Sequence, residues 1–168
     1  MKFLLLTLVL FASVMARSAH AEDRQLDSTG QYSYAVPEGW KAIARPKGFH
    51  DVLVLPATDG KNRNIIVTNQ PGTSDLEKLK GAYERDLATA LKDFELIKSD
   101  IVELKDKRRA MRLVNTNAAP GIAVRQVDYV VEVGKRRYFV ACTVLKEDAD
   151  AYDAVFESFV NSIAEPDK

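Results

Sequence analysis

The hydrophobic pattern along the chain has three textures. From Phe3 to Met15 it is continuous, FLLLTLVLFASVM, behind a basic start at Lys2 and ahead of Ala19-His20-Ala21. Ala19 and Ala21 stand at the two positions a signal peptidase reads, so residues 1–21 have the pattern of a secretory signal peptide cut after Ala21. The run falls short of the ~20 apolar residues of a membrane-spanning helix. No Cys stands near the cut, as a bacterial lipid anchor would need. From Glu22 to Gly30 the chain is polar, which predicts a flexible tail over 22–30. From Gln31 onward, period-two and helical patterns alternate, as one domain over residues 31–168.

Tyr32, Tyr34 and Val36 alternate with Gln31, Ser33 and Ala35, a half-buried strand. Pro37-Glu38-Gly39 turns it, with Pro fixing φ early in the turn and Gly suiting its last position. Trp40–Arg45 predicts a second strand. Asp51–Leu55 and Asn64–Asn69 predict two more around Asp59-Gly60. After Pro71-Gly72 the period becomes helical, with Leu76, Leu79, Tyr83, Leu87, Ala90 and Leu91 on one face. Ser74 and Glu77 are spaced as a capping box, each side chain meeting the other's free backbone N–H. Gly81 inside this helix costs ~1 kcal/mol relative to Ala.

Four strands follow: Phe94–Leu104, Arg109–Asn117, Ile122–Val133 and Arg137–Lys146. Their connections are short, so they pair antiparallel as a meander. Val127, Tyr129, Val131 and Val133 line one face of the third, against Gln126, Asp128 and Glu132. Asp148-Ala149-Asp150 opens a last helix with acids at the positive end of its dipole. Tyr152, Val155, Phe156, Phe159 and Ile163 form its core face, and Pro166 closes it. The predicted class is α+β, an antiparallel meander flanked by helices. Tyr32, Tyr34, Trp40, Tyr83, Phe156 and Phe159 fall on the same periodic faces as the aliphatic residues and are expected in the core.

A chain of 168 residues less its signal suits one domain, and ~150 residues bury about 70% of the surface they expose when unfolded. Hydrophobic and charged contents of 46% and 29% are those of an ordinary folded protein. The formal net charge of +0 becomes about −2 once Lys2 and Arg17 leave with a segment that holds no acid. Overall charge therefore argues for neither nucleic acid nor membrane binding. Cys142 stands alone, so no intrachain disulfide forms. Its place in an apolar run predicts a buried, inert core residue.

Catalytic chemistry is poorly supplied. His50, in Gly48-Phe49-His50-Asp51, is the one histidine left after the signal and reads as a solvated loop residue. No paired Cys or His spacing fits zinc. Glu147-Asp148-Ala149-Asp150 with Asp153 lacks the alternating ligands and glycine turn of a calcium loop and reads as a helix start. No glycine-rich phosphate cradle is present, and no carboxylate pair for glycoside chemistry stands out. No catalytic, cofactor or metal residue is expected, and no enzyme.

The basic residues form a better constellation. Lys105, Lys107, Arg108 and Arg109 mark one turn of the meander, and Lys135, Arg136 and Arg137 mark the next but one. Alternate turns lie at the same end of a meander. These cations are therefore expected at one edge, facing an acidic envelope protein or an anionic surface. Solvated turns whose charges protect the strands from aggregation are the plainer alternative. Asp106, Glu103 and Glu132 dilute the field.

The segments YSYAVPEGW, NIIVTNQPG leading into SDLEKLKGAYERDL, FELIKSDIVEL and YDAVFESFVNSI resemble the DcrB-type domain of the PsbP-like superfamily. The resemblance covers nearly all of the chain after the signal. It implies an antiparallel sheet between helices, an α/β/α sandwich, and no single activity, because members include photosystem accessory subunits and envelope proteins of unknown role. The leading expectation is an exported, non-enzymatic binding or accessory protein, periplasmic or secreted, with no transmembrane segment after cleavage. The alternatives are a carrier of a small apolar ligand between sheet and helix and, third, a hydrolytic enzyme.

Overall fold

The structure, a computed structural model, describes residues 24–27, 29–43, 51–56, 63–119 and 121–166. The expected signal segment with its expected cleavage point, and His50, lie outside these residues. In chain order the strands are β1 (Arg24–Leu26), β2 (Ser33–Ala35), β3 (Lys41–Ala42), β4 (Asp51–Leu55), β5 (Arg63–Pro71), β6 (Glu95–Glu103), β7 (Arg109–Ala119), β8 (Ile122–Val133) and β9 (Arg136–Leu145). Helix α1 (Leu76–Ala90) joins β5 to β6, and α2 (Ala149–Ser162) follows β9. Among the described residues, seven strands form one antiparallel sheet in the order β3-β4-β5-β9-β8-β7-β6, and β1 pairs with β2 in a small second sheet. This is an α+β fold, with α1 on one face of the main sheet and α2 and the small sheet on the other.

The two faces follow from alternation along the strands. One face carries Leu53, Ile65, Val67, Val114, Val127, Tyr129, Val131, Tyr138, Val140, Cys142 and Val144, all packed with Phe156, Phe159, Val160 and Ile163 in the main core. The rings of Tyr34 and Phe159 lie 5.5 Å apart, and Trp40 meets Phe156 edge-on at 6.2 Å. The other face is smaller: Leu76, Leu79 and Tyr83 of α1 pack on Met111, Val130, Ile101 and Phe139. The expected aromatic residues are buried except Tyr83, which is half-buried.

Three local expectations are corrected. Arg24–Leu26, placed in a flexible tail, pairs in register with Ser33–Ala35. Asp27 holds the hairpin between them: its carboxylate accepts from the N–H groups of Thr29 at 2.9 Å and Tyr32 at 3.1 Å, and from that of Gln31. Burial alone would raise the Asp27 carboxyl, but these bonds, with that of the Thr29 hydroxyl, hold it below its ordinary range. The helix cap is Asp75, not Ser74: the Asp75 carboxylate accepts from Glu77 N–H at 3.0 Å. Ser74 is taken up by the sheet, its N–H donating to Glu132 at 2.7 Å and its hydroxyl accepting from Arg137. Of the strand expected over Trp40–Arg45, Lys41–Ala42 is paired, Ile43 N–H still donates to Val52 at 3.0 Å, and residues 44–50 lie outside those described.

Candidate functional site

The meander places its turns as its spacing requires. β6, β7, β8 and β9 are neighbours in that order. The β6–β7 turn at 104–108 and the β8–β9 turn at 134–135 therefore share one end, and the β7–β8 turn lies at the other. Two further segments arrive at the basic end. The close of β5 is tied there by Gly72 N–H donating to Lys135 at 2.9 Å. The chain after α2 is tied nearby by the bridge between Ser33 and Ala164.

The seven cations divide into two groups. On the β6–β7 side they are largely neutralised: Lys107 pairs with Glu103 at 3.1 Å, Arg108 with Asp106, and Arg109 with Glu77 at 3.7 Å. Lys105 projects its side chain from a backbone N–H held by Asn161 at 2.7 Å. Arg137 lies over the Phe139 ring at 5.9 Å and donates to Ser74. Lys135 and Arg136 are different. They line a cleft of about 720 Å³ with Gln31, Pro71, Val133, Tyr138, Glu165 and Pro166. Among the described residues neither is ion-paired with a carboxylate. Arg136 is held instead by a neutral group, its Nε donating to Asn69 Oδ1 at 3.1 Å, and Asn69 in turn donates to Gln31 at 3.3 Å.

Sequence reasoning missed Asn69 and Tyr138 because their convergence depends on β5 pairing with β9, Asn69 opposite Tyr138 and Pro71 opposite Arg136. It missed Gln31 and Glu165 because their segments meet through the distant Ser33–Ala164 bridge. One signal was available. Ile65-Ile66-Val67 is apolar on both faces, which marks an interior strand needing two neighbours.

A second cleft, of about 790 Å³, lies between the small sheet and α2, lined by Ala35, Val36, Pro37, Ala154, Val155 and Phe159 with Arg24 at its rim. The sheet–α2 interface beside it is filled by Phe156, Phe159, Val160 and Ile163. The acidic residues that begin α2 meet arginines: Asp148 pairs with Arg63, and Asp150 and Asp153 with Arg125 at 3.1 and 2.9 Å. Cys142 is fully buried, and burial pushes its thiol well above the ordinary range, so it stays protonated. Asp128, 1% exposed, faces α1 and accepts from Gln126 at 2.8 Å, Asn115 at 3.2 Å and the Tyr83 hydroxyl at 3.5 Å. Burial raises its carboxyl to about 7.

No family model matches the chain, and no curated protein matches it in sequence. Solved structures do. Cyanobacterial PsbP (CyanoP) from Synechocystis is similar with a TM-score of 0.63 at 14% identity, over 85% of this chain and 91% of that one. LpqN, involved in cell envelope biogenesis of Mycobacterium tuberculosis, gives 0.63 at 14% identity, over 80% and 83%. The protein Mog1 gives 0.60 at 15% identity, over 83% and 93%. Identities this low speak to architecture alone, and the architecture is the PsbP-like α+β fold.

Proposed function

We propose that this chain is an exported accessory or binding protein of the cell envelope, periplasmic or secreted, without catalytic chemistry of its own. In this reading it engages an acidic partner through the basic end of its sheet. The observation that carries the reading is the pair Lys135 and Arg136, set over an apolar cleft with no carboxylate among the described residues ion-paired to them. The signal pattern of residues 1–21 and the likeness to an envelope-biogenesis protein support the location. The quoted segments support the finer assignment to the DcrB type. Burial of the Cys142 thiol supports a chain without a cysteine nucleophile.

The test is capture from envelope extract by the chain from Glu22 onward. The retained protein should elute as salt rises, because the Debye length shrinks from ~10 Å at 0.1 M to ~3 Å at 1 M. The variant Lys107→Gln, Arg108→Gln, Lys135→Gln, Arg136→Gln should lose it. Lys107 and Lys135 are exposed and contribute little to stability, and urea unfolding of the variant checks that the half-buried Arg108 and Arg136 are replaced without loss of the fold. Equal capture by the variant would return these residues to plain solvated turns. A turnover activity abolished by His50→Ala or Cys142→Ser in a folded chain would defeat the non-enzymatic reading. Carriage of a small apolar ligand is a second reading, favoured by the 790 Å³ cleft beside α2. Saturable binding of an apolar fluorescent probe, lost on Ala154→Asp, would support it.

A further inference from the structure

We propose that the cleft beside the β8–β9 turn receives a carboxylate side chain of a protein partner, held by Lys135 and Arg136 and opposed by the chain's own Glu165. The inference rests on the basic end being the docking surface and says what docks there. Three observations support it. First, the cleft is concave and its floor is apolar: Tyr138 is 1% and Val133 6% exposed, with Pro71 and Pro166 beside them. An ion pair formed over such a floor is partly desolvated and stronger than one on an open surface. Second, Arg136 is oriented before any partner arrives. Asn69 holds its guanidinium, Gln31 holds Asn69, and Asp27 holds the Gln31 backbone. A guanidinium oriented in advance loses less entropy on binding.

Third, the acids at this end select against a flat anionic surface. Glu77, Glu103 and Asp106 already occupy Arg109, Lys107 and Arg108, and Glu132 binds Ser74. A bilayer would face those acids and find three of the seven cations neutralised, whereas a single side chain aimed at the cleft avoids them. Against these stands Glu165, the one acid among the residues lining the cleft, which supplies a test of sign. Its side chain lies directly on the turn, so close that a Cβ on Gly134 would stand 2.2 Å from its Oε1. An incoming carboxylate meets its repulsion.

The experiment follows backbone amide shifts of the chain from Glu22 onward. The probes are a capped peptide alternating Phe and Glu, its Gln counterpart, and phosphatidylglycerol vesicles. The Glu peptide should shift Val133, Lys135 and Arg136, and the Gln peptide should not. Lys135→Gln with Arg136→Gln should weaken the Glu peptide about tenfold or more, and Lys107→Gln with Arg108→Gln by no more than about twofold. Glu165→Gln should tighten it, a sign opposite to that of any lost structural contact. Equal response to both peptides, equal loss in both double variants, or binding to vesicles without binding to peptide would overturn the proposal. So would silence toward every probe; if capture from extract still depended on the four cations, only the cleft would fall and the docking end would stand.

Discussion

Asp128 is an acid placed inside the protein with neutral donors and, among the described residues, no cation paired with it. α1 presents Tyr83 to it, β7 presents Asn115, and its own strand presents Gln126; none of these is charged. Burial therefore dominates and raises the carboxyl to about 7, from an ordinary value of 3.8. A group raised on folding contributes stability that is fully present below its unfolded value and is lost as pH rises through its folded value. Urea unfolding should accordingly show stability falling from pH 5 to pH 8, by on the order of a few kcal/mol. Asp27 and Asp100 are both held low and act in the opposite sense, so their losses fall in more acidic solution, outside this window. Asp128→Asn should flatten the slope and raise stability at pH 8. A wild-type profile level from pH 5 to pH 8 would mean that Asp128 ionises in the fold at no cost. The alternation of β8 made Asp128 a member of the polar face. Its burial was not legible there, because it depends on where α1 crosses the sheet.

The two helices are held with different strength. α2 buries Phe156, Phe159 and Val160 in the main core, whereas α1 rests on Leu76 with Leu79 and Tyr83 half-buried. Phe159→Ala should cost about 3–5 kcal/mol, and Leu79→Ala about 1–2 kcal/mol, because a partly exposed side chain leaves a smaller void. Amides of α1 should exchange with solvent by local opening, ahead of those of α2. A loss below about 1 kcal/mol for Phe159→Ala would remove α2 from the core. Both helices were legible as apolar stripes at helical spacing, as were the strands as alternation. The cap was misread, because Ser74 and Asp75 are both good capping residues and tertiary contacts decided between them. Glu132 and Arg137 engage Ser74, which leaves Asp75 to the helix. Asp75→Ala should therefore destabilise α1 by about 1 kcal/mol through its cap, whereas Ser74→Ala should loosen the helix from the sheet at the basic end.

At the scale of the molecule, the meander and its shared turn end followed from loop lengths alone. The insertion of β5 beside β9 did not, since it joins segments far apart in sequence, and the local pairing of β1 did not, since its three residues, all exposed, show no apolar alternation. β1 matters most for how the chain would begin in the proposed exported form. Cleavage after Ala21, checked by N-terminal sequencing of the exported form, should leave Glu22 and Asp23 ahead of a strand rather than a loose tail. Arg24 in that strand donates to the Ser33 carbonyl at 3.0 Å and to the Ser162 carbonyl at 2.7 Å. The second bond satisfies one of the free carbonyls at the end of α2 and sets a cation at the negative end of the helix dipole. Ser162 returns the tie, its hydroxyl accepting from Ala35 N–H at 3.0 Å. β1 thus pins the small sheet to the helix that closes the main core. Deleting residues 22–26 removes the strand pairing and the Arg24 bonds together and should lower unfolding stability by roughly 1–3 kcal/mol, while Arg24→Ala, which keeps the pairing, should lower it by less. If the shortened chain unfolds at the same urea concentration as the full one, β1 contributes nothing and residues 22–30 behave as the tail their polarity suggests.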